Sequence, residues 1–294
     1  MLEKFEAREC FQNIPTNFPQ NLAINISPHI ATSYDLLLIR LLLGKLDIYC
    51  NKSQKIVKQR INYYNLPYKK ERLSTNLGTY FGTTNLILSN SIRAGINRNF
   101  YKEIFFEFSN YFTCMKNKNF VNGFVHLYRI LERISYALPL IWASKSKDFY
   151  GTFSKLKEFF QNKDTKELGG LKLFIKGFVD PYLAITTDFN IISINQDWQK
   201  EYFMSIKNAA TKAQGSNTPL IETPFNRISI KNEDIIGFII EIRNKYFHAL
   251  TGANASFTSK NIMCTDEFFE IINEPCINWL AFLIMEVIKI DLTL

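Results

Sequence analysis

Residues 241–250 contain side chains whose types and spacing could do chemistry. Arg243 and Asn244 are adjacent, and His248 follows the asparagine by four residues. A guanidinium group can bind two oxyanion oxygens at once, and an imidazole can exchange a proton near neutral pH. The chain has three histidines in all, so one beside an Arg-Asn pair is informative. The surrounding apolar residues follow a helical period, which places the three side chains on one helix.

The helix that positions them is predicted to span residues 232–252. Asn232 is a candidate N-cap, Glu233 and Asp234 fall in the first turn, and Gly252 lies just past the end. One face carries an apolar stripe with the spacing expected of a core face. Its residues are Ile235, Phe238, Ile239, Ile242, Tyr246 and Leu250.

A second apolar row, Ile236, Ile240 and Phe247, lies about 100° around the same helix. A single helical domain would rarely leave such a row in water. Arg243 and His248 are about 140° apart, so they meet most easily at one reaction centre if a second copy of the helix crosses this row. The pattern therefore predicts a homodimer with a composite site and with the three apolar residues in its interface.

The Arg, the four intervening residues and the His, with Asn directly after the Arg, resemble the R-x(4-6)-H signature of HEPN domains. These are helical ribonucleases of abortive-infection systems, toxin-antitoxin pairs and CRISPR effectors. Residues 128–134, Tyr-Arg-Ile-Leu-Glu-Arg-Ile, are similar to the first helix of many members. The motif also lies late in the chain, and a long apolar helix follows it. The resemblance covers residues 101–294.

The resemblance implies RNA cleavage without a metal or other cofactor, in which the ribose 2′-OH attacks the adjacent phosphate and leaves a 2′,3′-cyclic phosphate. His248 would be the acid/base group. Arg243 would stabilise charge on the phosphorane, and Asn244 would orient the imidazole or bind a phosphate oxygen. Members that use or modify a tyrosine carry Tyr two residues after the His, where this chain has Leu250. That difference speaks against the tyrosine-modified subgroup.

Two interpretations of the motif remain open. In the first, the protein is an endoribonuclease toxin of an antiphage or abortive-infection system, held in check by a regulatory or antitoxin partner. In the second, Arg243 and His248 are a surface charge and a hydrogen-bonded polar residue. The protein is then a catalytically inert helical module that binds RNA or another protein.

The length and composition of the chain limit the classes of protein to which it can belong. A chain of 294 residues with 47% hydrophobic content can bury a sizeable core. The charged N-terminus lacks the apolar region of a signal peptide, and charges interrupt the richest apolar runs, so no membrane association is expected. Five scattered cysteines suggest neither a zinc site nor a disulfide framework, in keeping with the cytoplasm.

The net charge of +8 favours a polyanionic partner. Between Lys45 and Arg72, eight basic residues are interleaved with four tyrosines. Cations beside aromatic rings are typical of an RNA-contacting surface, although a solvated helix face has the same composition. The candidate RNA-binding residues are Lys52, Lys55, Lys58, Arg60, Lys69, Lys70 and Arg72.

The elements predicted from periodicity are all helices, so the expected fold class is all-α, with an HEPN-like bundle. A mainly helical basic region over residues 1–100 would recognise RNA or sense a trigger, and residues 101–294 would form the bundle. Residues 162–231 would be a long insertion with one short helix, able to cap the active groove or bind a regulator. The predicted helices span residues 33–62 (with a candidate break at residues 50–53), 93–114, 119–142, 151–161, 197–213, 232–252 and 266–290, the last kinked or divided at Pro275.

Overall fold

The computed structural model describes residues 4–8, 10, 33–63, 97–161, 170–171, 175, 186–214, 220–247, 257–258 and 261–292. Within these residues the chain is mostly helical, but it also forms two three-stranded antiparallel sheets. The all-α prediction is therefore wrong. The described residues belong to two compact units, Met1–Asn117 with Ala281–Leu294, and Lys118–Leu280. The predicted boundary at residue 100 differs from this division, because the first long helix packs with the N-terminal elements.

The first unit contains strand β1 (Phe5–Arg8), helix α1 (Tyr34–Leu42), strands β2 (Leu46–Cys50) and β3 (Lys55–Gln59), and helix α2 (Arg98–Lys116). The strands form a sheet in the order β1-β2-β3, and α1 packs against α2. Fully buried side chains from α1, β2 and α2 make the core of the unit. Examples are Leu38, Leu41, Ile48, Ile104 and Phe108.

A turn at Gly44 ends α1 and explains why residues 33–62 are not one helix. Gly44 has a positive φ of 70°. Its N–H donates to Leu41 O at 3.0 Å, and Lys45 N–H donates to Arg40 O at 2.8 Å. This pair of bonds is a Schellman motif, which closes a helix with a left-handed residue. The chain then enters β2, and the predicted long helix is replaced by a short helix and a hairpin.

The second unit contains helices α3 (Phe120–Lys145) and α4 (Phe149–Gln161), strand β4 (Thr186–Asn190), helix α5 (Gln196–Gln214), strands β5 (Ile221–Thr223) and β6 (Arg227–Lys231), and helix α6 (Ile235–Phe247). Helix α7 (Thr265–Leu292) begins here, and the boundary between units falls within it, after Leu280. The sheet has the order β4-β6-β5, with both pairs antiparallel.

The segment expected to be an insertion supplies part of the core of this unit. Phe189, Ile228 and Ile230 from its sheet are fully buried, and the Phe189 ring lies 4.8 Å from the ring of Phe238 on α6. Helix α5, which is longer than predicted, packs along α6. The described part of residues 162–231 is therefore integral to the unit, because its apolar side chains meet the helix that carries the Arg-Asn pair.

A buried tyrosine ties α5 to the start of α7. Tyr202 donates its hydroxyl proton to Cys264 O or Glu267 Oε2, at 3.2 and 3.1 Å, and accepts a hydrogen bond from Cys264 N at 3.0 Å. Burial raises the pKa of Tyr202 to about 12. The hydroxyl therefore stays protonated and keeps its donor role throughout the neutral range.

Helix α7 runs unbroken through Pro275, so of the two outcomes predicted for this proline, a kink or a division of the helix, the division is wrong. The ring removes one backbone hydrogen bond, but the side chains around it, including Ile272, Cys276 and Ile277, are buried and hold the helix in place. By length and composition α7 is apolar enough to cross a membrane. However, 72% of its most apolar stretch is buried inside the protein, so the length and composition of α7 are weak evidence for a membrane span.

Candidate functional site

Helix α6 carries the Arg-Asn pair and begins one turn later than predicted. Asn232 lies inside a 3-10 turn, Asn232–Asp234, that leads into α6, instead of preceding the helix as its cap. Its side-chain oxygen accepts a hydrogen bond from the Thr187 hydroxyl at 2.6 Å, which joins the turn to β4. The described helix ends at Phe247. His248, Leu250 and Gly252 lie outside the described residues.

The predicted core face of α6 is confirmed over its described length. Ile235, Phe238, Ile239 and Ile242 are all fully buried. Near the end of the helix, the ring of Tyr246 meets the ring of Phe269 edge-on, with 4.9 Å between centres. A further contact, 5.0 Å between the centres of Phe269 and Phe124, continues this packing to α3.

Arg243 contacts both α3 and its neighbour Asn244. Arg243 Nη1 donates to Asn244 Oδ1 at 3.1 Å. The guanidinium carbon also lies 5.0 Å from the centre of the Tyr128 ring, which is within the range of a cation-π contact. All three residues are half-buried. The structure thus adds Tyr128 to the candidate site, and its position in the 128–134 stretch was the only sequence signal for it.

Lys245 adds a second cation to the same turn of α6. Burial lowers its pKa, although the nearby Glu241 carboxylate opposes this shift. Its Nζ lies 5.5 Å from the Phe257 ring centre, and its carbonyl oxygen accepts a hydrogen bond from Phe257 N at 3.0 Å. Glu241 itself pairs with Lys212 on α5 at 2.8 Å. The end of α6 is therefore positively charged and is anchored by contacts on several sides.

The apolar row predicted to form the dimer interface is mostly covered within one protomer. Ile236 is fully buried, Ile240 is half-buried, and Phe247 is 43% exposed. Ile236 cannot contact a second copy directly, because α5 and the neighbouring elements pack around α6. Of the three residues, Phe247 alone presents substantial area to solvent.

Three of the predicted RNA-binding lysines lie on a hairpin instead of a helix. Lys52 is in the turn between β2 and β3, and Lys55 and Lys58 are exposed on β3. Arg60, directly after β3, forms an ion pair with Asp47 on β2, and Lys58 lies opposite Asp47 in the strand register. The Asp47 carboxylate therefore offsets part of this basic surface. Lys69, Lys70 and Arg72 are outside the described residues.

In the part of the chain that the structure describes, no three or more His, Cys, Asp or Glu side chains come together as a metal site would require. His126 is half-buried on α3.

The cationic and aromatic side chains around Arg243 can bind an anion and stack against a flat ring.

Comparison with family models, curated proteins and solved structures found no match for this chain.

Proposed function

We propose that the protein is a metal-independent endoribonuclease of the HEPN type that acts on RNA in the cytoplasm as an effector of antiphage defence. The observation that carries the proposal is the contact of Arg243 with both Asn244 and Tyr128 at the end of α6. It places a guanidinium, an amide and an aromatic ring together, and His248 follows shortly after in the sequence.

The proposed reaction is an internal transfer of the phosphodiester. The 2′-oxygen forms a bond to phosphorus while the bond from phosphorus to the 5′-oxygen breaks. A proton leaves the 2′-OH and another is delivered to the departing 5′-oxygen, so the products are a 2′,3′-cyclic phosphate and a 5′-hydroxyl. His248 exchanges these protons, since imidazole titrates near neutral pH.

Arg243 stabilises the extra negative charge on the phosphorane oxygens, because a guanidinium can donate two parallel hydrogen bonds to them. Asn244 supports this arrangement through its bond to Arg243. Tyr128 offers a ring against which a base next to the scissile phosphate can stack. Lys245 adds positive potential that attracts the RNA backbone.

The same contacts also support a second candidate function. A half-buried arginine over a tyrosine can also have a purely structural role, in which it joins α6 to α3. The protein is then an inert helical module that binds RNA or a protein partner. This alternative predicts that RNA is not cleaved, whether the module binds RNA or a protein. It also predicts that substitution of Arg243 harms stability more than any activity.

The test compares cells that express the wild type, His248→Ala or Arg243→Ala at equal protein levels. Growth is followed, and RNA ends are mapped for 2′,3′-cyclic phosphates. Growth arrest and new cyclic-phosphate ends that occur with the wild type alone support the nuclease. Equal effects of the wild type and folded His248→Ala protein would contradict it and favour the binding module.

A further inference from the structure

Five large apolar side chains are exposed on the second half of α3 and the first two turns of α4, and we call this set the α3–α4 patch. Both helices belong to the Lys118–Leu280 unit and pack against one another. A folded chain rarely leaves several large rings in water at one place without a ligand for them. The patch consists of Tyr136 (51% exposed), Leu140 (58%), Phe149 (87%), Tyr150 (84%) and Phe153 (65%).

The exposed rings of α4 belong to a helix whose first turn is capped. Gly151 N–H donates to Asp148 Oδ1 at 3.0 Å, and Asp148 N–H donates to the Ser146 hydroxyl at 3.3 Å. The carboxylate therefore caps the first turn of α4, which holds Phe149 and Tyr150. Because the backbone beneath these rings is fixed, their exposure is a property of the fold.

Exposed cations accompany the patch along both helices. Lys147, Lys155 and Lys157 are exposed on or next to α4, and Lys155 Nζ lies 6.0 Å from the Trp142 ring centre. On α3, Arg129 precedes Tyr136 by seven residues, which places both on one exposed face. The acidic side chains nearby are Glu132, Asp148 and Glu158, and Asp148 is the one engaged in capping.

Aromatic rings interleaved with cations are the combination that binds single-stranded nucleic acid. Bases stack on the rings regardless of sequence, and lysines neutralise the phosphates. Protein-binding faces are also rich in aromatic rings, but they are depleted in lysine. Four of the five apolar residues of the patch are aromatic, and three exposed lysines accompany them, so the chemistry favours a polyanion with flat bases.

We propose that the α3–α4 patch binds single-stranded RNA by stacking bases on Phe149, Tyr150 and Phe153. The choice of RNA over DNA rests on the proposed function. Tyr128, which contacts Arg243, is eight residues before Tyr136 on α3, or about 12 Å along the helix axis. An RNA strand that lies along α3 therefore passes from the candidate cleavage site to the patch.

The experiment measures the affinity of the full chain for a fluorescein-labelled oligouridylate by fluorescence anisotropy. Every protein also carries His248→Ala, so that the probe stays intact. One variant replaces the three α4 rings with leucine (Phe149→Leu, Tyr150→Leu, Phe153→Leu), which keeps apolar area and removes stacking. A second keeps the rings (Phe149→Tyr, Tyr150→Phe, Phe153→Tyr). Ile192→Ala with Ile194→Ala removes exposed apolar side chains elsewhere in the same unit.

The leucine variant should bind the probe about tenfold or more weakly, while the ring-keeping and isoleucine variants should stay within about twofold of the parent. Equal affinity of the leucine variant and the parent, or no binding by the parent, overturns the proposal. Sedimentation of the parent and of a further variant, Phe149→Ala, Tyr150→Ala, Phe153→Ala, tests self-association: a parent dimer that dissociates in this variant, with RNA affinity unchanged, also overturns the proposal. Tyr150→Leu alone serves as a milder variant if the triple substitution does not fold.

Because RNA affinity is measured without cleavage, the affinity result does not depend on whether the protein is a nuclease. If RNA binding depends on the rings but no cyclic-phosphate ends form, the nuclease proposal fails and the patch proposal stands. If RNA is cleaved but binding does not depend on the rings, the patch proposal fails and the nuclease proposal stands.

Discussion

The guanidinium carbon of Arg243 on α6 lies 5.0 Å from the centre of the Tyr128 ring on α3. The contact joins two helices that are far apart in the sequence, and Asn244 holds the same guanidinium through a 3.1 Å hydrogen bond. Both partners limit the orientations open to the arginine, so an anion would meet a donor group that is already positioned.

Tyr128 tests whether this contact serves the reaction or only the packing. We expect Tyr128→Phe to keep the cation-π contact and base stacking, and therefore to retain most RNA cleavage. Tyr128→Leu, which keeps apolar volume but loses the ring, should lower the cleavage rate about tenfold. Rates are measured on a labelled RNA, with thermal unfolding as a check on stability. Equal rates for the two variants would show that the ring has no part in the reaction.

The predicted composite site can be tested by mixing two inactive variants. If Arg243 from one protomer acts with His248 from its partner, a mixture of Arg243→Ala and His248→Ala proteins forms mixed dimers with one intact site. Activity should return to about a quarter of the wild-type level, since about half of the dimers are mixed and each has one of two sites intact. Activity that stays at the level of either variant alone would place both residues of the site in one chain.

Gly44 sets the turn that replaces the predicted long helix. Its φ of 70° favours glycine, and an added Cβ would lie 2.6 Å from the carbonyl carbon of Arg60. Gly44→Ala should therefore lower the free energy of unfolding by about 1–2 kcal/mol from backbone strain alone, with the clash adding to this. Urea denaturation followed by circular dichroism measures the change. Lys52→Ala, at an exposed position of the same hairpin, should have little effect. An unchanged midpoint for Gly44→Ala would contradict this turn.

Asp35, in the first turn of α1, gives a pH-dependent prediction. Burial raises the pKa of this carboxyl, hydrogen bonds from Ser33 and Leu36 N–H oppose the shift, and the Asp291 carboxylate adds to it. A carboxyl with a raised pKa in the folded state contributes stability at low pH that is lost as the pH rises through that pKa.

Asp35→Asn keeps an oxygen that can accept the same two hydrogen bonds, but it carries no charge. The variant should melt at a higher temperature than the wild type near neutral pH. The difference should shrink towards zero near pH 4, about the pKa of an unfolded aspartate, because the wild-type carboxyl is protonated there. A difference that is constant across this range would contradict the raised pKa.

The sequence predicted the long helices well, because amphipathic segments such as α2, α3 and α5 repeat their apolar residues at the helical period. It missed β3 of the first sheet because one of the inward positions of this strand is polar. Gln59 is buried and uses its amide to bond Leu41 O and Ile61 O, at 3.1 and 2.8 Å. The alternation of apolar and polar residues that marks a strand is therefore absent from residues 55–59. The one sequence feature that could have indicated the turn after α1 is Gly44, because glycine often occupies the left-handed position that ends a helix.

The second sheet was missed for a related reason. Strand β4 reads Thr-Thr-Asp-Phe-Asn, with Phe189 its one fully buried residue, and β5 has three residues. Such strands are defined by pairing with β6, which is not visible in their own composition. In the candidate site, Arg243 and Asn244 could be selected from their spacing. The contact with Tyr128 could not, because it depends on how α3 and α6 pack.

The most direct test of the nuclease uses purified full-length protein with total RNA in the presence of EDTA, and counts new 2′,3′-cyclic phosphate ends. We expect the wild type to produce them without a metal, and Arg243→Ala and His248→Ala, shown to be folded by circular dichroism, to reduce their number about a hundredfold or more. Cyclic-phosphate ends that form equally with His248→Ala, or no such ends with the wild type, would contradict the account.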